Sequence, residues 1–221
     1  MSDSPLIFLH VTKTAGGTLK AALRNLPGRR VEMVYGPADK DRLADTDLSG
    51  VDMIYGHVIF GLHEKLKIAP KYACFMRHPV TRTISHYYHL RNVEGGPVGD
   101  LIRASADIND FFARHQHWEF SNLMTKIVSG SGNDRVPDEP AMLDHALANV
   151  AAHFSFIGFQ EFFPISLRKL SQDVGQDIVT RRDANIGHYD LSSVSAATLD
   201  KIVAMNQLDL ALYKASLARF L

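Results

Sequence analysis

Only one cysteine, Cys74, occurs among 221 residues. That excludes a disulfide within the chain and any cysteine-rich zinc site. It lies in the apolar run Tyr72-Ala73-Cys74-Phe75-Met76, where a thiol packs as a small hydrophobe. Net charge is missing too, since Lys+Arg and Asp+Glu both number 24. Such balance argues against a general binder of nucleic acid or anionic membrane, which shows basic excess, so any anion site must be local. No apolar segment approaches the ~20 residues needed to cross a bilayer. Residues Met1-Ser2-Asp3-Ser4-Pro5 carry neither a basic region nor a long apolar stretch. No signal peptide is expected, and a soluble, reducing, cytoplasmic setting is. Repeats, low-complexity tracts and long linkers are absent as well. With 46% hydrophobic and 22% charged residues, the chain is expected to form one domain, residues 1–221, with a real core.

What is present is an alternation of short apolar runs and helix-compatible stretches. Strands are expected at Leu6–His10, Val31–Tyr35, Asp52–Gly56, Tyr72–Met76 and Phe154–Phe159. Most are apolar on both faces, as in a covered parallel sheet. Helices are expected at Thr18–Asn25, Val80–Arg91, Asn109–His115, Phe120–Val128, Ala141–Ala152, Glu161–Val174 and Ser195–Phe220, the last breaking near Met205–Asn206. Val93–Asp100 and Ser129–Pro140 read as surface loops from their Gly, Pro and Asp content. The order implies βαβ units: an α/β fold with a mainly parallel central sheet flanked by helices, and a ligand at the carboxyl ends of its strands.

The first strand runs into Lys13-Thr14-Ala15-Gly16-Gly17-Thr18 and then a helix. Strand, small-residue loop and helix together aim backbone N–H groups, a helix N-terminus, a lysine and two hydroxyls at one phosphate. Gly16 and Gly17 let the backbone approach an anion, and Thr14 and Thr18 can donate hydrogen bonds. The Walker A spacing is absent, because here the lysine precedes the glycines. A plain turn with Thr18 as N-cap is the other reading of the same residues.

A second cluster, Arg77-His78-Pro79-Val80-Thr81-Arg82-Thr83-Ile84-Ser85, follows the strand Tyr72–Met76. Pro79 suits the first turn of a helix. Arg77 at the strand end and Ser85 two turns along can clamp a second phosphate. Taken alone, the segment also fits an amphipathic helix with a solvated arginine.

Together the two motifs, Lys-Thr-Ala-Gly-Gly-Thr and Arg-x-Pro-x-x-Arg-x-x-Ser-x-x-Tyr, resemble the sulfotransferases that use 3′-phosphoadenosine 5′-phosphosulfate (PAPS). The likeness is nearest to the carbohydrate branch that includes the heparan sulfate 2-O-sulfotransferases. Tyr55-Gly56-His57-Val58 resembles that branch's Gly-His-Val segment, which carries a catalytic base. Asn122-Leu123-Met124-Thr125-Lys126 through Gly130, Ile157-Gly158-Phe159-Gln160-Glu161 and Asn206-Gln207-Leu208-Asp209 resemble further segments in order. Thr12 stands where the family usually has Pro, His78 where it often has Asp, and Lys126 where it has Arg.

The resemblance implies a P-loop-type nucleotide-binding fold and metal-independent transfer of a sulfuryl group from PAPS to an acceptor hydroxyl, with 3′-phosphoadenosine 5′-phosphate as product. Lys13 and the Thr14, Ala15, Gly16, Gly17 and Thr18 loop would hold the 5′-phosphosulfate. Arg77 and Ser85 would hold the 3′-phosphate, with Lys126 and Arg181 as further contacts. His57 would be the general base. The implied acceptor is a saccharide or glycolipid; no nucleic-acid partner and no membrane span are expected, and the oligomeric state is left open. A P-loop kinase and a non-catalytic nucleotide- or glycan-binding relative are the rival readings.

Other residues read more plainly. His10 ends the first strand and is expected to be structural. His86 and His89 share a helix face but lack an ordered third metal ligand. Phe111, Phe112, Trp118 and Phe120 read as core, with one of them a candidate to stack on adenine. Arg181 and Arg182 are read either as a loop over a phosphate or as a solvated pair.

Overall fold

In the computed structural model, which describes residues 4–93, 95–131, 140–180 and 191–221, five short apolar segments pair as one sheet. They are β1 (Leu6–Leu9), β2 (Val31–Val34), β3 (Met53–Gly56), β4 (Tyr72–Met76) and β5 (Phe154–Phe159), in the order β2-β3-β1-β4-β5. Every pairing is parallel. The expected α/β architecture is therefore observed, with a sheet that is parallel throughout.

Side chains alternate across the strands and feed two cores. On one face Phe8, Tyr55 and Phe75 pack with Leu19 and Leu23 of α1 (Gly16–Arg24) and Leu170 of α9. On the other face Ile7, Leu9, Cys74, Met76 and Phe159 pack with Met124, Val150 and Leu212. These last come from α7 (Leu123–Ser129), α8 (Pro140–His153) and α11 (Gln207–Phe220), while α9 spans Phe163–Val174. A third cluster contains Ile84, Tyr87, Phe111, Phe112, Phe120 and Ile202. It joins α4 (Pro79–Asn92), α6 (Ile108–Arg114) and α10 (Ala196–Met205) into a helical shoulder beside the sheet. The phenylalanines expected in the core are buried there, and Trp118 is partly buried.

Several boundaries differ for local reasons. The first helix begins at Gly16, not Thr18, because Ala15 takes a left-handed conformation and occupies the N-cap. The expected helix 120–128 divides at Asn122, which is also left-handed (φ 45). A 3-10 turn, Gln160–Phe162, precedes α9. Three helices were not expected: α2 (Pro37–Ala44), α3 (Leu62–Leu66) and α5 (Pro97–Ala104). α2 buries only Leu43, so it has almost no apolar periodicity to read. α5 starts directly behind Gly95 and Gly96, whose positive φ values turn the chain into Pro97 at the first helical turn. The loop expected over 93–100 thus ends inside a helix.

Candidate active site

The chain leaves β1 toward β2 on one side, and leaves β4 toward β5 on the other. The carboxyl ends of β1 and β4 therefore flank the topological switch point, where ligands of open α/β sheets bind. The Lys13 loop follows β1, Arg77 follows β4, and His57 follows β3, the other neighbour of β1.

Lys13 (φ 67) and Ala15 (φ 69) both adopt left-handed backbone. For side chains with a Cβ this costs about 1–2 kcal/mol per residue. Left-handed residues in a tight turn gather N–H groups into a concave, anion-binding nest. No side chain caps α1 and its first turn holds no acidic residue, so nothing within the helix offsets the partial positive charge there. Thr14 is buried and its hydroxyl donates to the Val11 carbonyl at 2.8 Å, so it braces the loop from inside. Thr18 is the third residue of α1, not its cap. Thr12 buries its hydroxyl oxygen without a hydrogen-bond partner. Gly16 meets a need the spacing did not reveal: a Cβ there would lie 1.7 Å from Nε2 of His10.

The Lys13 and Arg77 segments touch. Arg77 Nη1 donates to the Lys13 carbonyl at 3.3 Å, and its Nε donates to Thr81 Oγ1 at 3.2 Å. Burial holds the Lys13 ammonium below the usual lysine pKa, and the Arg77 charge adds to that. An anion bound between the two cations reverses the second effect. Ser85 is buried one turn beyond Thr81 on α4. One turn further, the His89 pKa is lowered by burial and then by the Lys13 charge. The sequence offered His89 only as half of a metal pair; its i, i+4 spacing from Ser85 was the available signal. The α4 N-terminus is pinned by Glu161, whose carboxylate accepts from the His78 N–H at 2.8 Å and from the Tyr213 hydroxyl at 3.0 Å.

His57 is exposed at the end of β3. Its ring stacks on His10 (centroids 4.5 Å, planes 19° apart) and meets Tyr35 edge-on at 4.8 Å. Nδ1 lies 3.0 Å from the His10 carbonyl oxygen. A carbonyl only accepts, so Nδ1 carries the proton and Nε2 of the neutral ring keeps its lone pair. Packing of the ring lowers its pKa; the His10 carbonyl works the other way, and Lys20 and Lys40 lower it further. Gly56 permits this placement, because a Cβ there would come within 1.8 Å of the Val34 carbonyl that accepts the His57 N–H at 2.8 Å.

Lys126 is buried in α7 and its Nζ donates to the Ser121 carbonyl at 3.0 Å. Arg181 and Arg182 lie outside the described residues. His86 is buried with Nε2 2.6 Å from Glu119, and burial takes its pKa down to about 4 against the raising effect of that carboxylate. Among the described residues, no three His, Cys, Asp or Glu side chains gather as metal ligands. No helix among them is long and apolar enough to cross a membrane. The Cys74 thiol is buried and its pKa is pushed up by burial. An open hollow beside Arg168, Ser171, Gln172 and Asp177 lies at the amino end of the sheet, away from Lys13.

No protein-family model matches the chain, and no curated protein matches it. Among solved structures it is similar to mouse sulfotransferase SULT7A1 complexed with PAP, at 14% identity and a TM-score of 0.46. The match covers 81% of this chain and 61% of the mouse chain, so this chain spans about three fifths of that structure's length.

Proposed function

We propose that the chain transfers a sulfuryl group from PAPS to an acceptor hydroxyl, in the carbohydrate-type manner that its motifs resemble. The observation that carries this reading is the contact of Arg77 with the Lys13 carbonyl, which brings together two basic motifs 64 residues apart. A donor with phosphate at both ends of an adenosine suits two joined cation sites better than a single triphosphate chain does. The nest at Lys13–Ala15, the uncapped α1 and the Lys13 ammonium match a 5′-phosphosulfate. Arg77 and Ser85 match the 3′-phosphate.

The chemistry follows from these roles. The acceptor oxygen attacks sulfur as its proton passes to Nε2 of His57. The bond from sulfur to the phosphate oxygen breaks, and 3′-phosphoadenosine 5′-phosphate leaves with the electron pair. Lys13 and the loop amides stabilise the charge that develops on that oxygen. The remote 3′-phosphate contacts contribute by holding donor geometry. The acceptor proposed is a hydroxyl of a saccharide or glycolipid.

The test is direct. The purified chain, incubated with sulfur-labelled PAPS and pooled saccharides and glycolipids, should yield a labelled product without added metal. Calorimetry should show binding of 3′-phosphoadenosine 5′-phosphate. Binding of ATP only with magnesium, and none of the adenosine bisphosphate, would replace this reading by a kinase. Binding of the bisphosphate with no transfer to any acceptor would leave a binding protein.

A further inference from the structure

We propose that His10 is a positioning residue: its imidazole is a wedge, anchored by Tyr35, that sets the His57 ring against the Gly16 end of the donor loop. The inference rests on the reading of His57 as base and adds the device that aims it.

The His10 ring is held among four neighbours. It stacks on His57 at 4.5 Å and on Tyr55 at 5.5 Å. Its Nδ1 lies 2.9 Å from the Tyr35 hydroxyl. Its Nε2 edge fills the space that a side chain at position 16 would need. The Tyr55 hydroxyl donates to the Gly16 carbonyl at 2.8 Å, which ties the same helix end to the same stack. The His10 main chain also acts, because its carbonyl fixes the His57 tautomer. Rotation of His57 about its stack would break that bond and collide with the Tyr35 edge.

A residue present only to fill space after Ile7, Phe8 and Leu9 would be apolar. His10 instead uses a ring nitrogen to hold Tyr35, and it stays neutral, with its pKa lowered to about 3 first by burial and then by His57 and Lys20. A neutral wedge adds no charge beside the base. Among the described residues, the charged groups that act on His57 are Lys20 of α1 and Lys40 of α2, and the Tyr35 ring stands beside it. Lys20 is itself fixed over the Tyr35 ring at 3.7 Å. Removing the wedge therefore hydrates His57 while leaving its cationic neighbours in place.

Two variants test the idea in the full chain, with ring-nitrogen-labelled histidine followed by NMR. In the unsubstituted protein, His57 should carry its proton on Nδ1 and titrate below 6.5. In His10→Ala the residue-10 carbonyl remains but the His57 ring loses its packing, so its pKa should move up toward 6.5. The acidic limb of kcat/KM should move up with it. Turnover should fall by roughly 10- to 100-fold, the scale of a small misplacement of a reacting group, with affinity for 3′-phosphoadenosine 5′-phosphate within about 3-fold. Tyr35→Phe deletes only the anchor and should give the same changes in smaller measure, which keeps the test open should His10→Ala fold poorly. Unchanged His57 titration and unchanged turnover in both variants would overturn the inference. An unsubstituted protein with no transferase activity, yet with a His57 resonance that responds to His10→Ala, would remove the transferase reading and keep the wedge.

Discussion

Lys13 shows how one residue can be costly to the fold and valuable to the site. Its left-handed backbone is strained, its ammonium is partly desolvated, and Arg77 stands beside it. Strained residues of this kind cluster at active sites and ligand clamps. Lys13→Ala should therefore leave stability nearly unchanged while turnover falls by about 100-fold or more, as for other electrostatic stabilisers of a leaving oxygen. Steady-state kinetics alongside thermal melts checks both halves. Arg77 holds the Lys13 carbonyl, and the proposed function gives it a second role at the 3′-phosphate. Arg77→Ala should weaken both 3′-phosphoadenosine 5′-phosphate and adenosine 5′-phosphosulfate, the first much more than the second. Equal weakening by calorimetry would mean that only the loop contact matters. Arg77→Lys should not restore affinity, because an ammonium cannot span Thr81 and the Lys13 carbonyl together.

At the scale of elements, two segments picked out by resemblance prove to be halves of one joint. Asn122 accepts from the Leu208 and Asp209 N–H groups at 3.0 and 3.1 Å. In return Asp209 accepts from the Met124 N–H and from both the N–H and hydroxyl of Thr125. Each side chain thus satisfies the start of the other's helix, α7 or α11. Burial raises the Asp209 pKa, and the buried Arg82 charge works against that. Asp209→Ala should destabilise the fold by about 3–5 kcal/mol, the range for stripping one partner from a buried charged network. Urea unfolding measures it. This joint explains what was legible in the sequence. Strand positions were, because apolar runs such as Tyr72–Met76 need no long-range information. The Lys13 and Arg77 motifs were, because small residues and basic groups after strands have a local logic. The roles of Asn122, Thr125, Asp209 and Glu161 were not, since each closes a contact with a segment at least 50 residues away. His10 was read as structural because nothing local links a strand-end histidine to Gly16, Tyr35 and His57. α2 escaped because a helix with one buried residue leaves no periodicity.

Across the whole molecule, two histidines are held neutral by the cores around the site, which sets how the fold responds to acid. His86 titrates at about 4 and His10 at about 3, against an ordinary value of 6.5. Between those limits the unfolded chain binds protons that the folded chain refuses, so stability rises with pH across the window and falls as pH drops through it. At about 1.4 kcal/mol per pKa unit, His86 alone is worth about 3 kcal/mol by the bottom of that window. Glu119 and Asp52, whose carboxyls titrate below their usual values, extend the loss at lower pH. Asp209 and Asp173 are raised by burial and oppose it, because their folded forms take up protons first. The histidines dominate above pH 5, where few carboxyls titrate. Thermal melts should therefore show a midpoint that falls steadily from pH 7 to pH 5. His86→Gln keeps an N–H donor for Glu119 but cannot titrate, so its midpoint should fall less over the same range. Parallel slopes for the two proteins would mean that another group drives the acid response, and that the buried His86–Glu119 contact tolerates a charged imidazole.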